Sequence, residues 1–128
     1  MSIIFLVGRI ILGLYFLDNA SHHFFGLEMV SGFAASRGVP APKAAVLFGG
    51  VLLLVGGLSI LTGYRPTIGI TALIVFLLPV TLKVHTFWKF EDPMVKMTER
   101  INFTKNLALM GSLLMFLSIP QPWLFSIG

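Results

Sequence analysis

Apolar residues fall in four runs along this chain, at about residues 3–20, 44–61, 67–88 and 103–119, with polar and turn-forming residues collected between them. The runs are long and do not alternate strictly between apolar and polar positions, so they read as helices rather than strands. Runs of this kind suit a bilayer, whose core takes about 20 apolar residues per crossing. Lipid admits only helices or closed barrels, because every backbone N–H and C=O must find its partner within the protein. The pattern predicts an all-α membrane protein, a single transmembrane domain over residues 1–128 folded as an up-and-down four-helix bundle.

The breaks support the same division. Val39, Pro40, Ala41 and Pro42 precede the second run; Gly63, Tyr64, Arg65 and Pro66 mark a tight turn before the third; Pro120, Gln121 and Pro122 close the fourth. The first run lacks a basic leader and holds Arg9 within it, so it reads as a retained helix and not as a cleaved signal. Between the first two runs, Phe25, Met29 and Phe33 recur every fourth residue beside the polar Glu28 and Ser36. That spacing suits a short helix lying at the membrane surface, while the glycines around it suit a partly ordered loop. Gly49, Gly56 and Gly63 repeat at seven residues, as do Gly50 and Gly57. Each set drifts only about 20° per repeat, giving the second helix a smooth ridge for close packing. Pro79 predicts a kink in the third helix.

Composition sharpens this picture. Of 128 residues, 56% are hydrophobic and 11% charged, against about a quarter charged in soluble domains. Four crossings leave only short loops, so any activity must be assembled from helix side chains. The net charge of +4 is spread over helix ends and loops with no basic run, which argues against nucleic acid as a partner. The charge instead reports orientation. Arg37, Lys43, Lys89, Lys96 and Arg100 fall in the first and third loops, with Lys83 and Lys105 able to snorkel toward that side; the other side has Arg65. The positive-inside rule places those two loops in the cytoplasm and both termini outside it. With no cysteine, the chain has neither a disulfide nor a thiol redox centre, and redox chemistry would need its electrons on a cofactor, a quinone or a partner protein.

A hairpin topology gathers Asp18, Asn19, His22, His23, Lys83, His85, Trp88, Lys105 and Asn106 into one leaflet. Ionisable groups at membrane depth mark candidate functional sites. Relative to Arg9, the residues Gly13, Phe16, Ala20 and His23 lie within about 40° on a helix, and Asp18 lies about 180° away. Arg9 and His23 thus share one stripe, and Asp18 and His22 fall on another. Thr81, His85 and Trp88 share a face of a continuous third helix, an arrangement of polar groups among aromatics that suits a small-molecule site. Arg9 finds no acidic residue in the second helix or in the cores of the third and fourth. Pointing inward, it calls for a partner protein's carboxylate, a carbonyl cluster, a lipid headgroup or an anionic ligand, and pointing outward it snorkels. Residues 91–100 read as a solvated connection. No His-x-x-x-His or Glu-x-x-His spacing occurs, so no metal site is expected. The candidate binding set is Arg9, His23, His85, Trp88, Lys105 and Asn106, with no residue assigned to catalysis.

Residues 8–13 (Gly-Arg-Ile-Ile-Leu-Gly), the paired glycines within 48–56, the segment 78–88 from Leu78-Pro79 to His85 and Trp88, and 102–111 around Lys105 and Asn106 together resemble the DoxX family of small membrane proteins. The resemblance spans nearly the whole chain. It implies a four-helix protein of the bacterial or archaeal inner membrane, with relatives among the small subunits of thiosulfate:quinone oxidoreductase and others among assembly factors and cargo receptors. The family pattern matches Arg9, Gly13, Gly49, Gly50, His85, Lys105 and Asn106. It departs at His23, where many members carry lysine, and near Val46, where a glutamate is common.

Two functions follow as expectations. One is a membrane subunit of an oxidoreductase that binds a quinone or another lipophilic ligand in a cytoplasmic-leaflet pocket, beside a partner subunit or as a homo-oligomer. The other is a non-catalytic assembly, anchoring or interaction protein whose glycine ridge packs on a partner.

Overall fold

The computed structural model describes residues 2–127. Helix α1 (Ser2–Phe25) leads through Gly26 into a short α2 (Leu27–Ser36); α3 (Pro42–Thr62) and α4 (Pro66–Lys83) follow, then a single 3₁₀ turn (Phe87–Lys89) and α5 (Pro93–Phe116). Helix α3 is central, packing on α1, α2 and α4, while α4 also packs on α5. Among the described residues, α1, α3 and the α4 region are long and apolar enough to cross a membrane. Helix α5 is as long as α1, but the stretch from its start to Lys105 carries Lys96, Glu99, Arg100 and Lys105. Its uncharged remainder is shorter than the about 20 residues of a straight crossing.

The glycine ridge is spent inside the chain. A Cβ at Gly56 would collide with Leu73 of α4, and one at Gly57 would press on Leu17 of α1. The seven-residue repeat therefore makes two seams, Gly49 and Gly56 toward α4, Gly50 and Gly57 toward α1. Close backbone approach lets Phe16, Leu53, Ile60, Ile70, Leu73 and Leu113 become fully or almost fully buried. Dispersion contacts of this density hold helices together where lipid removes the hydrophobic driving force between them. Gly63 ends α3 in the left-handed region, at φ 76°, which a side chain would strain.

The first loop is helical: α2 turns Ser31 and Ala34 inward and leaves Met29 and Phe33 exposed, and Phe25 is exposed at the end of α1. Two sequence expectations fail. The third helix does not continue to Trp88; it stops at Lys83, and Thr81, His85 and Trp88 do not share a helical face. No glycine or proline marks that stop; side chains beyond it are instead drawn to α5, His85 to Glu99 and Trp88 to the Phe103 ring 5.7 Å away. Nor are residues 91–100 a solvated connection. Asp92 caps α5 by accepting from the Met94 N–H at 2.9 Å, Pro93 occupies the first turn, and the helix is under way ten residues earlier than its apolar pattern suggests.

Candidate ligand-binding site

One stripe of α1 faces inward as its spacing predicts: Arg9, Gly13, Phe16 and Ala20 are buried and His23 half-buried, while Asp18 and His22 are exposed. The two ends of that stripe have different surroundings. Toward the N-terminus of α1, Arg9 is 3% exposed and its guanidinium donates to four backbone carbonyls. Two belong to Ile60 and Leu61 in the last turn of α3, where the helix dipole favours a cation. The other two, Leu124 and Phe125, belong to the C-terminal tail, which folds back so that Trp123 packs edge-on against Phe5 at 5.2 Å. The carbonyl cluster answers the question that Arg9 posed. Its place in the candidate binding set is a correction: it lies about 21 Å along α1 from His23 and ties the tail to the bundle.

Toward the C-terminus of α1, residues of α1, α2, α3, α4 and α5 line a cavity of about 230 Å³. Its wall is mostly apolar, with Phe16, Leu53, Phe76 and Leu77 among the lining residues, and its polar residues are Tyr15, Asn19, His23, His85, Lys105 and Asn106. Four of the six candidate residues thus meet in one space. Trp88 does not; it is 52% exposed and stacks edge-on with Phe87 and Phe103 outside the cavity. It reached the candidate set through the continuous third helix that the structure interrupts.

The paired glycines shape this wall. A Cβ at Gly49 would come within 2.9 Å of the Phe76 ring, and one at Gly50 within 3.0 Å of the His23 Cβ. Their absence lets His23 lie flat enough against α3 to meet Phe76 edge to face, centroids 5.4 Å apart. Val46, near the place where the resemblance would put a glutamate, is buried and lines the same cavity. The cavity floor is therefore apolar where that acid would stand.

Hydrogen bonding fixes what the polar groups present. His23 Nδ1 lies 3.0 Å from the Asn19 carbonyl oxygen, which only accepts, so Nδ1 carries the proton and the neutral ring keeps a lone pair on Nε2. His85 Nδ1 lies 3.0 Å from Glu99 Oε2. Among the described residues nothing bonds to Nε2 of either ring. Asn106 is 5% exposed, lines the cavity, and has no side-chain hydrogen bond among the described residues. Lys105 is exposed, its ammonium 6.0 Å from the Tyr15 ring.

Glu99 is the residue that sequence reasoning missed. It is 3% exposed, accepts from Asn102 at 3.1 Å and pairs with Arg37 at 3.3 Å as well as with His85. Arg37 comes from the end of α2, its guanidinium over the rings of Phe33 and Phe90 at 4.7 and 4.4 Å. One carboxylate thereby joins α2, the segment after α4, and α5, and it holds the His85 ring at the cavity edge. The signal was there to be read: Glu99, Asn102 and Asn106 stand at i, i+3 and i+7 on one helical face.

No curated protein and no solved structure matches the chain significantly. The DoxX family model matches residues 4–86, well over half of the 128 residues and enough to take in α1 through α4, His23, the paired glycines and His85. Glu99, Lys105 and Asn106 stand beyond the matched stretch. With Arg9, Gly13, Gly49, Gly50 and His85 all inside it, the chain belongs to the DoxX family.

Proposed function

We propose that this protein is a membrane-embedded subunit of an oxidoreductase, and that it binds the ring of a quinone-like lipophilic molecule in the cavity beside His23, His85 and Asn106. The carrying observation is Asn106, a residue 5% exposed that lines the cavity and makes no side-chain hydrogen bond among the described residues. Two imidazole Nε2 atoms and the Lys105 ammonium supply further polar contacts for the oxygens of such a ring. A cavity of about 230 Å³ suits that size, since voids of about 150 Å³ already admit benzene. Bound electrons reside on the ligand and on a partner subunit, because the chain has no cysteine.

In this reading the four long helices all cross the inner membrane, α5 rising from the cytoplasmic face through its charged first turns. The cavity then lies in the cytoplasmic leaflet, close to Arg37, Lys83, Lys96 and Arg100, and both termini lie outside the cytoplasm.

Thermal unfolding of the purified protein in mild detergent tests the binding. Trimethylhydroquinone, a tail-less ring with two hydroxyls, raises the midpoint in the wild type by several degrees and leaves Asn106→Leu unmoved. An identical response from both proteins, or none from either, overturns the reading.

A further inference from the structure

The cavity has a neighbour of opposite character. A groove of about 410 Å³ runs along the outer face between α3 and α4 and shares Val39, Ala45, Phe76, Val80 and Val84 with the cavity wall. Its own lining includes Phe48, Leu52, Val75 and Pro79, with Lys83 the one ionisable residue at its rim. Phe48 and Val75 are 60% and 48% exposed and belong to helices apolar enough to span a bilayer, so the groove opens toward hydrocarbon. All of the cavity's hydrogen-bonding side chains lie on the other side of the shared wall.

That wall is thin at Phe76. Its ring meets His23 on the cavity side and lines the groove as well. Gly49 offers no side chain to hold the ring in place from α3, and a Cβ there would press directly on it. Pro79, one turn further along α4, has no N–H to give the preceding turn, which leaves this part of the helix easier to bend. Polar cavity and apolar groove thus lie on the two sides of one aromatic partition.

We propose that the groove is the lateral door of the site and holds the hydrocarbon tail of the molecule whose ring occupies the cavity. The proposal rests on the ring-binding reading above and narrows it: the ligand is a membrane-resident amphiphile with a single prenyl or alkyl chain, taken from the bilayer past Phe76, and not a water-soluble phenol admitted from the cytoplasm. From Ala45 to Leu52 the groove follows α3 for about 10 Å, the first stretch of such a tail. One molecule then covers both surfaces, with its polar oxygens at the histidines and its chain in lipid-facing apolar lining.

The test compares two probes on the protein in lipid nanodiscs at matched membrane loading: trimethylhydroquinone and decyl-benzoquinol, which adds a ten-carbon chain. Val75→Trp fills the groove without touching the cavity, and Leu52→Trp does so from α3. Both variants should weaken decyl-benzoquinol tenfold or more while trimethylhydroquinone binds them as it binds the wild type, which also certifies that they are folded. If both probes bind the variants and the wild type alike, the groove holds only bulk lipid and the proposal falls while the cavity reading stands. If neither probe binds the wild type, both fall.

Discussion

Glu99 and Arg9 show how differently two buried charges are handled in this protein. Arg9 has no acidic partner among the described residues; four carbonyl oxygens take its donors, and Phe5 and Trp123 lie within 5.6 Å of the guanidinium carbon. Glu99 sits among side chains, with Arg37, His85 and Asn102 around one carboxylate. Removing one member of such a buried set leaves an uncompensated charge, at a cost of about 3–5 kcal/mol. Glu99→Ala should therefore lose stability on that scale, whereas Glu99→Gln, which still accepts from Asn102, should lose less. Denaturant unfolding of both in one detergent reads the difference; equal losses would mean that the cluster matters only as packing. The two differ in how far the residues reveal them. Arg9's partners come from the far end of α3 and from the tail, and backbone carbonyls leave no trace in a sequence. Glu99 hid because a charged stretch between apolar runs resembles a loop, although Asp92 and Pro93 announce a helix start and Asn102 and Asn106 continue its face.

Helices legible from the chain are those whose signals are local. The inward stripe of α1 follows from residue spacing alone, and α3 ends where Gly63 adopts a positive φ. The stop of α4 at Lys83 is decided by side chains reaching α5, so nothing near Val84 reveals it. Glycine spacing was equally clear, yet its use was not: the repeat could serve an internal seam or an external partner, and only the packing assigns it inside. That assignment makes a paired expectation. Gly56→Leu drives a side chain into Leu73 and should cost about 1–3 kcal/mol or more, as overpacked cores do. Gly111 has open space where a Cβ would stand, so Gly111→Ala should be neutral or gain up to about 1 kcal/mol from helix propensity. Melting midpoints of the two variants should move in opposite directions or differ by several degrees; similar losses would contradict the seam.

On the scale of the whole molecule, polar groups divide between two ends of the bundle. Arg9, the tail and the end of α3 close one end by bonds made within the chain. The other end keeps its polar groups half-satisfied around a cavity: among the described residues the Asn106 side chain has no hydrogen bond, and each of two imidazoles has one nitrogen engaged and one without a partner, with an apolar groove behind Phe76. An interior this economical with polar residues keeps such groups unpaired at a free-energy cost, and a ligand that bonds them removes it. The binding claim is tested most directly by native mass spectrometry of the protein taken from its own membrane in mild detergent. The expected spectrum shows one molecule of prenyl-quinone mass per chain in the wild type and none in Asn106→Leu. A wild-type chain that carries only phospholipid, or that carries the same adducts as Asn106→Leu, would contradict the account.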